Sequence, residues 1–326
     1  MRRLPILCLL VGLFPLTCFA EEPNPIYGDW ALTLPTGEAG WLSVSERDGK
    51  PHVELMWAVG GVRVMDNAIF KDELLYIELK RKVGGQTFII RCVGDKIGGK
   101  VFPRMLSQPP ILSEPQGPER RFSGERMPPL PSKPDLSQIK FGPKQILFNG
   151  NDLTGWKVTD EKKLNGWSVK EGVLLNDTPK KDFSVYGDYA NLRTEKEFEE
   201  FRLHIEFRPP EGGNSGVYLR GMYEVQVVDR ESKMQGIQGV GAIFGRIKPL
   251  TNAGKPAGEW NTYDITLVDR HVTVVLNGEK VIDNQPVPGP TGGALLSDVT
   301  KPGPIFLQGD HTSIEYRNVW IEPVVE

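Results

Sequence analysis

One strand-like segment, YEVQVVD at residues 223–229, carries side chains able to transfer protons. Alternate residues of an extended strand point to the same side, so Glu224 and Gln226 are expected on one face and the apolar residues on the other. A one-residue bulge after Gln226 would bring Asp229 to the face of Glu224. Two carboxyl groups at one site can differ in pKa, so that one acts as acid and the other as base. We therefore predict a catalytic pair of Glu224 and Asp229; the alternative is a solvated strand whose last Asp begins a loop.

The preceding segment, GGNSGVYLRGM at residues 212–222, combines glycines with side chains suited to sugar binding. Glycine lets a backbone approach a ligand closely. Asn and Arg offer hydrogen-bond donors in fixed geometry, and Tyr offers a stacking plane with a polar tip. The predicted substrate-binding residues of these two segments are Asn214, Ser215, Tyr218, Arg220 and Gln226.

Two further segments supply polar groups. FRLHIEFR at 201–208 alternates strictly between apolar and polar residues. Its polar face includes Glu206, which we predict to bind substrate. The alternative is a polar face that is exposed to water and whose charges are paired. PIFLQGDHTSIEYRN at 304–318 places Gln308, Asp310 and His311 in a turn between two strands. Because histidine is the side chain most easily poised near neutral pH, His311 is predicted to be catalytic and Gln308 to bind substrate. An exposed turn histidine is the alternative.

The elements that position these residues are predicted to be strands. Residues 27–103 are short runs rich in β-branched and aromatic residues, broken by turn sequences such as PTGEAG and VGGQ. From residue 141 onward the same pattern continues, and Asn277-Gly278 between two alternating runs is a strong hairpin signal. No long amphipathic helical pattern stands out. The chain is therefore predicted to be all-β, with a small antiparallel domain followed by a two-sheet sandwich of the jelly-roll type.

A proline-rich stretch separates the two predicted domains. Residues 104–140 are dense in proline and charge. Proline fixes φ and removes a ladder donor, so an extended, semi-rigid connection is expected. The predicted division is a signal peptide at 1–20, a small antiparallel β domain at 21–128, a Pro-rich linker at 129–140 and the sandwich domain at 141–326.

The N-terminus and the overall charge suggest an exported protein. MRRLPILCLLVGLFPLTCFA has two arginines before an apolar run and ends in a small residue, which is typical of a secretory signal. We predict cleavage near Ala20 and export to the periplasm or the extracellular space; the residues before Cys18 fit a lipid-attachment signal poorly. No later segment is long and apolar enough to span a bilayer. The net charge of −3, without a basic run, argues against a nucleic-acid partner.

Seven segments of the second region carry a family resemblance. They are LFNGNDLTGW (147–156), WSVKEGVL (167–174), FRLHIEFR (201–208), NSGVYLRGMYEVQVVD (214–229), KPAGEWNTYDITL (255–267), LNGEKVID (276–283) and GPIFLQGDHTSIEYRNVWI (303–321). Through them, residues 145–323 resemble the 3-keto-disaccharide hydrolase family.

The resemblance implies a concanavalin-like β-sandwich, related in shape to laminarinase-type glucanases. Those glucanases carry Glu-x-Asp-x-x-Glu on a bulged strand, and this chain has Glu224-x-Gln226-x-x-Asp229 at the same spacing. Because the central Asp and the last Glu are both replaced, the retaining glucanase reaction is not expected. A second departure is GAIFG, where Phe244 stands in place of an expected Tyr.

The implied substrate is a sugar with a ketone at carbon 3, which acidifies the hydrogen on carbon 2. A base can remove that proton, the leaving group at carbon 1 can depart, and water can add back to complete a hydrolysis. The resemblance implies proton transfer by Glu224 and His311, in an unassigned order, with Asp229 as a second acid or a metal ligand. A divalent metal that polarises the ketone is compatible with these residue types, although no ligand spacing demands one.

Two other classes of protein fit the same residues. A non-catalytic, lectin-like glycan-binding module would use Tyr218, Arg220 and Gln226 equally well. A structural exported protein would use none of them. Tight binding of unmodified oligosaccharides without turnover would identify the lectin. The oligomeric state is not specified by the sequence.

Overall fold

The computed structural model describes residues 24–80, 84–104, 117–179 and 188–325. Within these ranges the regular structure consists of 23 strands and one 3-10 turn at Gly236–Gln238, and the predicted all-β class is confirmed. None of the described helical structure is long and apolar enough to cross a membrane. The predicted signal peptide at 1–20 lies outside the described residues.

The first part of the chain forms one curled antiparallel sheet. Its strands are β1 (Gly28–Thr33), β2 (Ala39–Arg47), β3 (Lys50–Trp57), β4 (Arg63–Val64), β5 (Asn67–Lys71), β6 (Leu74–Lys80), β7 (Gly85–Val93), β8 (Lys96–Arg104) and β9 (Arg120–Arg126). They are ordered β4-β3-β2-β1-β9-β8-β7-β6-β5. Strands β3 and β5 also approach each other, so the sheet curls around an apolar core that includes Trp30, Leu42 and Phe88.

The second part of the chain is a two-sheet sandwich. One sheet contains β10 (Lys140–Phe141), β11 (Gln145–Ile146), β13 (Trp167–Lys170), β14 (Val173–Asn176), β16 (Phe201–Arg208), β19 (Asn261–Val268), β20 (His271–Leu276), β21 (Glu279–Pro286) and β23 (Ile314–Val325). The other is ordered β12-β15-β22-β17-β18, from β12 (Trp156–Val158), β15 (Leu192–Phe198), β22 (Gly303–Leu307), β17 (Asn214–Leu219) and β18 (Tyr223–Val228). This facing pair of sheets confirms the predicted jelly-roll sandwich.

Alternating apolar residues from both sheets fill the space between them. Ile205 and Phe207 of β16 lie in the same buried cluster as Val217 of β17 and Val225 of β18. Such interdigitation is what a strand with one dry face predicts. The hairpin predicted at Asn277-Gly278 is also confirmed, because these residues adopt φ values of 53° and 84° between the paired strands β20 and β21.

The two parts of the chain pack directly against each other. Trp41, Met56 and Met127 of the first part belong to the apolar cluster that fills the sandwich. The chain after β9 is also held, because the carbonyl of Pro128 accepts from Arg270 at 3.0 Å and that of Pro134 accepts from Asn284 at 2.9 Å. The first part of the chain is therefore in direct contact with the sandwich.

Candidate active site

The hairpin of β17 and β18 determines which residues of the candidate site lie opposite each other. A tight turn at Arg220 and Gly221, with φ values of 54° and 63°, joins the two strands. Regular pairing then places Tyr218 opposite Glu224. One face of the hairpin packs into the sandwich core, and both strands are buried along their whole length. The polar residues of the other face are therefore withdrawn from solvent as well.

The side chain of Glu224 lies against Gly216 of the neighbouring strand β17. A Cβ atom at Gly216 would come within 2.3 Å of the Glu224 Oε1 atom, so the carboxyl group occupies the space left by a missing side chain. Only 3% of Glu224 is exposed, and it forms no salt bridge with any described residue. Gly216 is thus required by the close approach of this carboxyl group.

The electrostatic surroundings of Glu224 favour its protonated form. Burial raises the pKa of the Glu224 carboxyl to about 8, the Tyr218 hydroxyl lowers this pKa, and the charge of Asp310 raises it. Burial and the Glu224 charge also hold the pKa of the Tyr218 phenol well above its usual range. A carboxyl group that stays protonated at neutral pH can act as a general acid.

The turn after β22 brings a second pair of titratable groups to the same place. The Nδ1 atom of His311 lies 2.6 Å from the Oδ1 atom of Asp310. Their side chains are 17% and 15% exposed, so this pair lies nearer to solvent than Glu224. The Gln308 amide lies 3.5 Å from the Tyr218 hydroxyl, which connects the turn to β17. The structure thus brings Tyr218, Glu224 and Gln308 together, and His311 follows Gln308 in the same turn.

Asn214 and Gln226 extend this polar face along the hairpin. The Gln226 amide donates to the Asn214 Oδ1 atom at 3.0 Å, and the Asn214 backbone amide donates to Thr312 at 2.8 Å. The buried Gln226 Oε1 atom has no hydrogen-bond partner among the described residues. An unpaired buried acceptor carries an energetic cost that a bound hydroxyl group would relieve.

Asp229 does not join Glu224. The pairing of β17 with β18 runs without interruption from Asn214 opposite Val228, so the predicted bulge is wrong. The carboxylate of Asp229 instead accepts the backbone amides of Gly212 and Glu231, both at 3.0 Å. Asp229 therefore caps the loop at the end of the hairpin.

Ser215 and Arg220 also point away from Glu224. Ser215 neighbours Asn214 and so faces the opposite side of β17, where its hydroxyl donates to the Gln308 carbonyl at 2.6 Å. Arg220 lies in the turn beyond the strand, and its guanidinium donates to the Val299 carbonyl at 2.9 Å. Both side chains hold the scaffold together.

Glu206 lies on the other sheet of the sandwich. It occupies the outer face of β16, where Arg317 donates to it at 2.7 Å and Asn318 at 2.6 Å. The apolar core of the sandwich separates this face from Glu224. The alternative of a wet, charge-paired face is the one the structure shows for Glu206.

Sequence reasoning placed Asp310 in this turn without giving it a role, and it missed Thr291. Asp310 is next to His311 in the sequence, and that adjacency was the available signal. Thr291 lies far along the chain, yet its hydroxyl accepts the Glu224 backbone amide at 2.9 Å. No local pattern in the sequence distinguishes this threonine.

The divalent metal considered from the sequence finds no ready ligand set. Across the described ranges, no three His, Cys, Asp or Glu side chains come together as a group able to hold a metal ion. Asp229, the suggested ligand, is engaged by backbone amides. We therefore derive no step through a metal.

An open hollow of about 600 Å³ lies elsewhere, on the first sheet. It is lined by residues that include Tyr76, Ile89, Arg91, Lys100 and Phe122. No buried carboxyl group lies among its lining residues, and Lys100 is paired with Glu119 at 2.9 Å. The chemistry described above is thus not located in this hollow.

Comparison with known proteins identifies relatives of the sandwich. The 3-keto-disaccharide hydrolase of Bacteroides thetaiotaomicron is 23% identical over 164 residues, and the match covers 42% of this chain and 57% of that protein. A candidate glycosyl hydrolase from Parabacteroides distasonis is 30% identical and covers 61% of this chain and 94% of its own, with a TM-score of 0.44. The Bacillus licheniformis β-glucanase is 13% identical and covers 58% of this chain and 99% of its own, with a TM-score of 0.35.

The match to the curated hydrolase covers little more than half of that protein's length. The two-sheet sandwich is shown by the strand pairing of this chain itself. A family profile, in contrast, matches residues 143–322, which is more than half of the 326 residues. The family predicted from the sequence is thereby confirmed: the chain belongs to the 3-keto-alpha-glucoside-1,2-lyase-like domain family.

Proposed function

We propose that the protein cleaves 3-keto-glycosides, by elimination across carbons 1 and 2 of the sugar followed by hydration. The family and the curated relative support a glycosidase-type enzyme. The observation that carries the proposal is the buried carboxyl group of Glu224 beside the Asp310–His311 pair. An acid and a base with different surroundings are what this elimination requires.

In this reaction His311 is the base. When its Nδ1–H donates to Asp310, the Nε2 atom is the basic nitrogen of the ring. Nε2 takes the proton from carbon 2, and the electron pair forms an enolate with the oxygen on carbon 3. The adjacent carboxylate of Asp310 stabilises the imidazolium that results.

Glu224 is the acid. The enolate collapses to a double bond between carbons 1 and 2, and the bond from carbon 1 to the leaving oxygen breaks. Glu224, protonated at neutral pH because its pKa is about 8, gives its proton to that oxygen. Since the carboxyl group is buried without a cation, its proton is held until the leaving oxygen arrives.

Hydration returns both groups to their starting states. Water adds to carbon 1 and gives a proton to the Glu224 carboxylate, while His311 returns its proton to carbon 2. In this proposal the Gln308 amide donates to the oxygen on carbon 3 while it carries charge, because the one proton of the Tyr218 hydroxyl is donated to the Gly292 carbonyl. In the proposal Asn214 and Gln226, which are bonded to each other, bind ring hydroxyls. The balance is the addition of one water across the glycosidic bond.

We also propose a partner and a location for the protein. The partner is a carbohydrate substrate, and the protein acts after export, with the segment at 1–20 as its signal.

The proposal is tested by following aglycone release from a chromogenic 3-keto-glucoside and from the corresponding ordinary glucoside. We expect turnover of the keto-sugar alone, because only the ketone acidifies the hydrogen on carbon 2. Release from the ordinary glucoside at an equal rate would contradict the elimination route. Calorimetric binding of unmodified oligosaccharides, without turnover of either glucoside, would identify the lectin-like alternative.

A further inference from the structure

We infer that the first sheet positions Tyr218 and Glu224 through a short strip of the sandwich, residues 289–293. This inference rests on the function proposed above. It gives the N-terminal part of the chain a role in catalysis, although that part lies outside the residues 143–322 matched by the family profile.

The strip at residues 289–293 is hydrogen-bonded to both Tyr218 and Glu224. The Gly292 carbonyl accepts the Tyr218 hydroxyl at 2.8 Å, and the Thr291 hydroxyl accepts the Glu224 amide at 2.9 Å. At Gly293 a Cβ atom would lie 2.7 Å from the Tyr218 hydroxyl, so the strip also limits where this ring can sit. Any displacement of the strip would therefore move Tyr218 and the backbone of Glu224.

The turn between β3 and β4 of the first sheet holds this strip from the other side. The Ala58 carbonyl accepts the Gly293 amide at 2.8 Å. A Cβ atom at Gly292 would lie 2.2 Å from the Gly60 carbonyl oxygen, so the two backbones touch with no side chain between them. A second contact of this kind joins Gly61 to Gly245, where a Cβ at Gly61 would lie 3.3 Å from the Gly245 Cα atom.

Neighbouring contacts fix the same strip against the first sheet. Gly289 lies against the indole ring of Trp41, and the Arg246 guanidinium lies 4.4 Å above that ring. Arg246 in turn donates to the Pro290 carbonyl at 2.7 Å. Because the first sheet contacts the strip at Gly289, Gly292 and Gly293, the strip has little freedom to move on its own.

The test is Gly292→Ala, with Gly98→Ala as its matched control. Neither glycine has a positive φ, so each substitution acts only through the added methyl group. At Gly292 that methyl meets the Gly60 backbone, whereas at Gly98 nothing lies within 4 Å. Two quantities are measured: kcat and KM on a chromogenic 3-keto-glucoside, and the pKa of Glu224 by NMR of 13C-glutamate-labelled protein, with Glu224→Gln assigning the signal.

For Gly292→Ala we expect kcat to fall by about tenfold or more, with KM nearly unchanged. The pKa of Glu224 should fall by about one pH unit, because a displaced strip admits water to a carboxyl group whose pKa is raised mainly by burial. The other titratable groups acting on Glu224, which are Tyr218 and Asp310, are unchanged in sequence. Gly98→Ala should match the wild type in both measurements.

A kcat and a Glu224 pKa in Gly292→Ala equal to those of the wild type would overturn the inference while leaving the proposed function intact. A wild type inactive on keto-sugars would reject the proposed function, and the NMR comparison would still decide whether the first sheet positions Glu224. If Gly292→Ala does not fold, Gly61→Ala is measured instead, because it adds a methyl group to the same turn of the first sheet at the milder distance of 3.3 Å from the Gly245 Cα atom. It should then shift the same two quantities in the same direction, and no shift in it would equally overturn the inference.

Discussion

Strands β16 and β18 show how the same sequence pattern leads to two different environments. Both alternate polar with apolar residues, and both turn their apolar residues into the sandwich core. The polar face of β16 remains partly wet, whereas Glu224 and Gln226 of β18 are almost fully buried. Alternation therefore predicts which residues share a face, but not whether another part of the chain covers that face.

The two polar faces also differ in how their charges are balanced. On β16, His204 lies 2.7 Å from Asp264, and Glu206 is paired with Arg317 at the same distance. Glu224 has no such cation among the described residues, and its pKa rises. A wet face neutralises its charges by pairing, and this buried face does so by keeping a proton.

The largest difference between the two faces is expected in catalysis. Glu224→Gln removes the proton donor, so kcat should fall by about 10²–10⁴-fold on a 3-keto-glucoside. Glu206→Gln makes the same chemical change on the wet face and should leave kcat within about twofold of the wild type. Aglycone release under saturating substrate measures both. Equal losses in the two variants would remove the distinction between the faces.

The second difference is expected in the pH dependence of stability. Because the folded state raises the pKa of Glu224 from 4.5 to about 8, the resulting stability is fully present below pH 4.5 and is lost as the pH rises through 8. Glu224→Gln cannot ionise and should not show this loss. Relative to the wild type, it should gain about 2–4 kcal/mol in unfolding free energy between about pH 5 and about pH 9.

Urea unfolding of both proteins at the two pH values measures this gain. Glu206→Gln serves as the control and should show no comparable gain. A constant difference between wild type and Glu224→Gln across the range would mean that Glu224 is ionised in the folded protein at both values.

The smallest effect is expected from the ion pairs of the outer face. Arg208 donates to Glu315 there, with both side chains about a third exposed, and its guanidinium lies 4.7 Å from the Trp260 ring. Glu315→Gln should reduce the unfolding free energy by less than about 1 kcal/mol, and less still at high salt. A loss of several kcal/mol in unfolding free energy would show that this face is far less solvated than the partly exposed polar residues of β16 indicate.

The sequence was sufficient to predict the strands and those site residues whose placement follows from strand alternation and turn preferences. Asn277-Gly278 predicted its hairpin because only residues tolerant of positive φ suit such a turn. Alternation correctly placed Tyr218, Glu224 and Gln226 together. It could not reveal whether the strand bulges before Asp229, because bulged and regular strands have the same composition.

The rest of the site depends on contacts between distant parts of the chain. Arg220 follows the alternation of β17 but lies in its turn, where carbonyls of residues 299 and 301 bind it. Thr291 and Gly292 reach the hairpin only because the sandwich and the first sheet pack together. Spacing within a segment carries no information about such contacts.

The central claim is that Glu224 acts as a protonated acid, and the pH profile of kcat/KM on a 3-keto-glucoside tests it most directly. Since the pKa of Glu224 is about 8 and its protonated form is the active one, kcat/KM should decline as the pH rises through 8. Glu206→Gln should show the same decline. A wild-type profile that stays level through this pH, with full activity when Glu224 is ionised, would contradict the account.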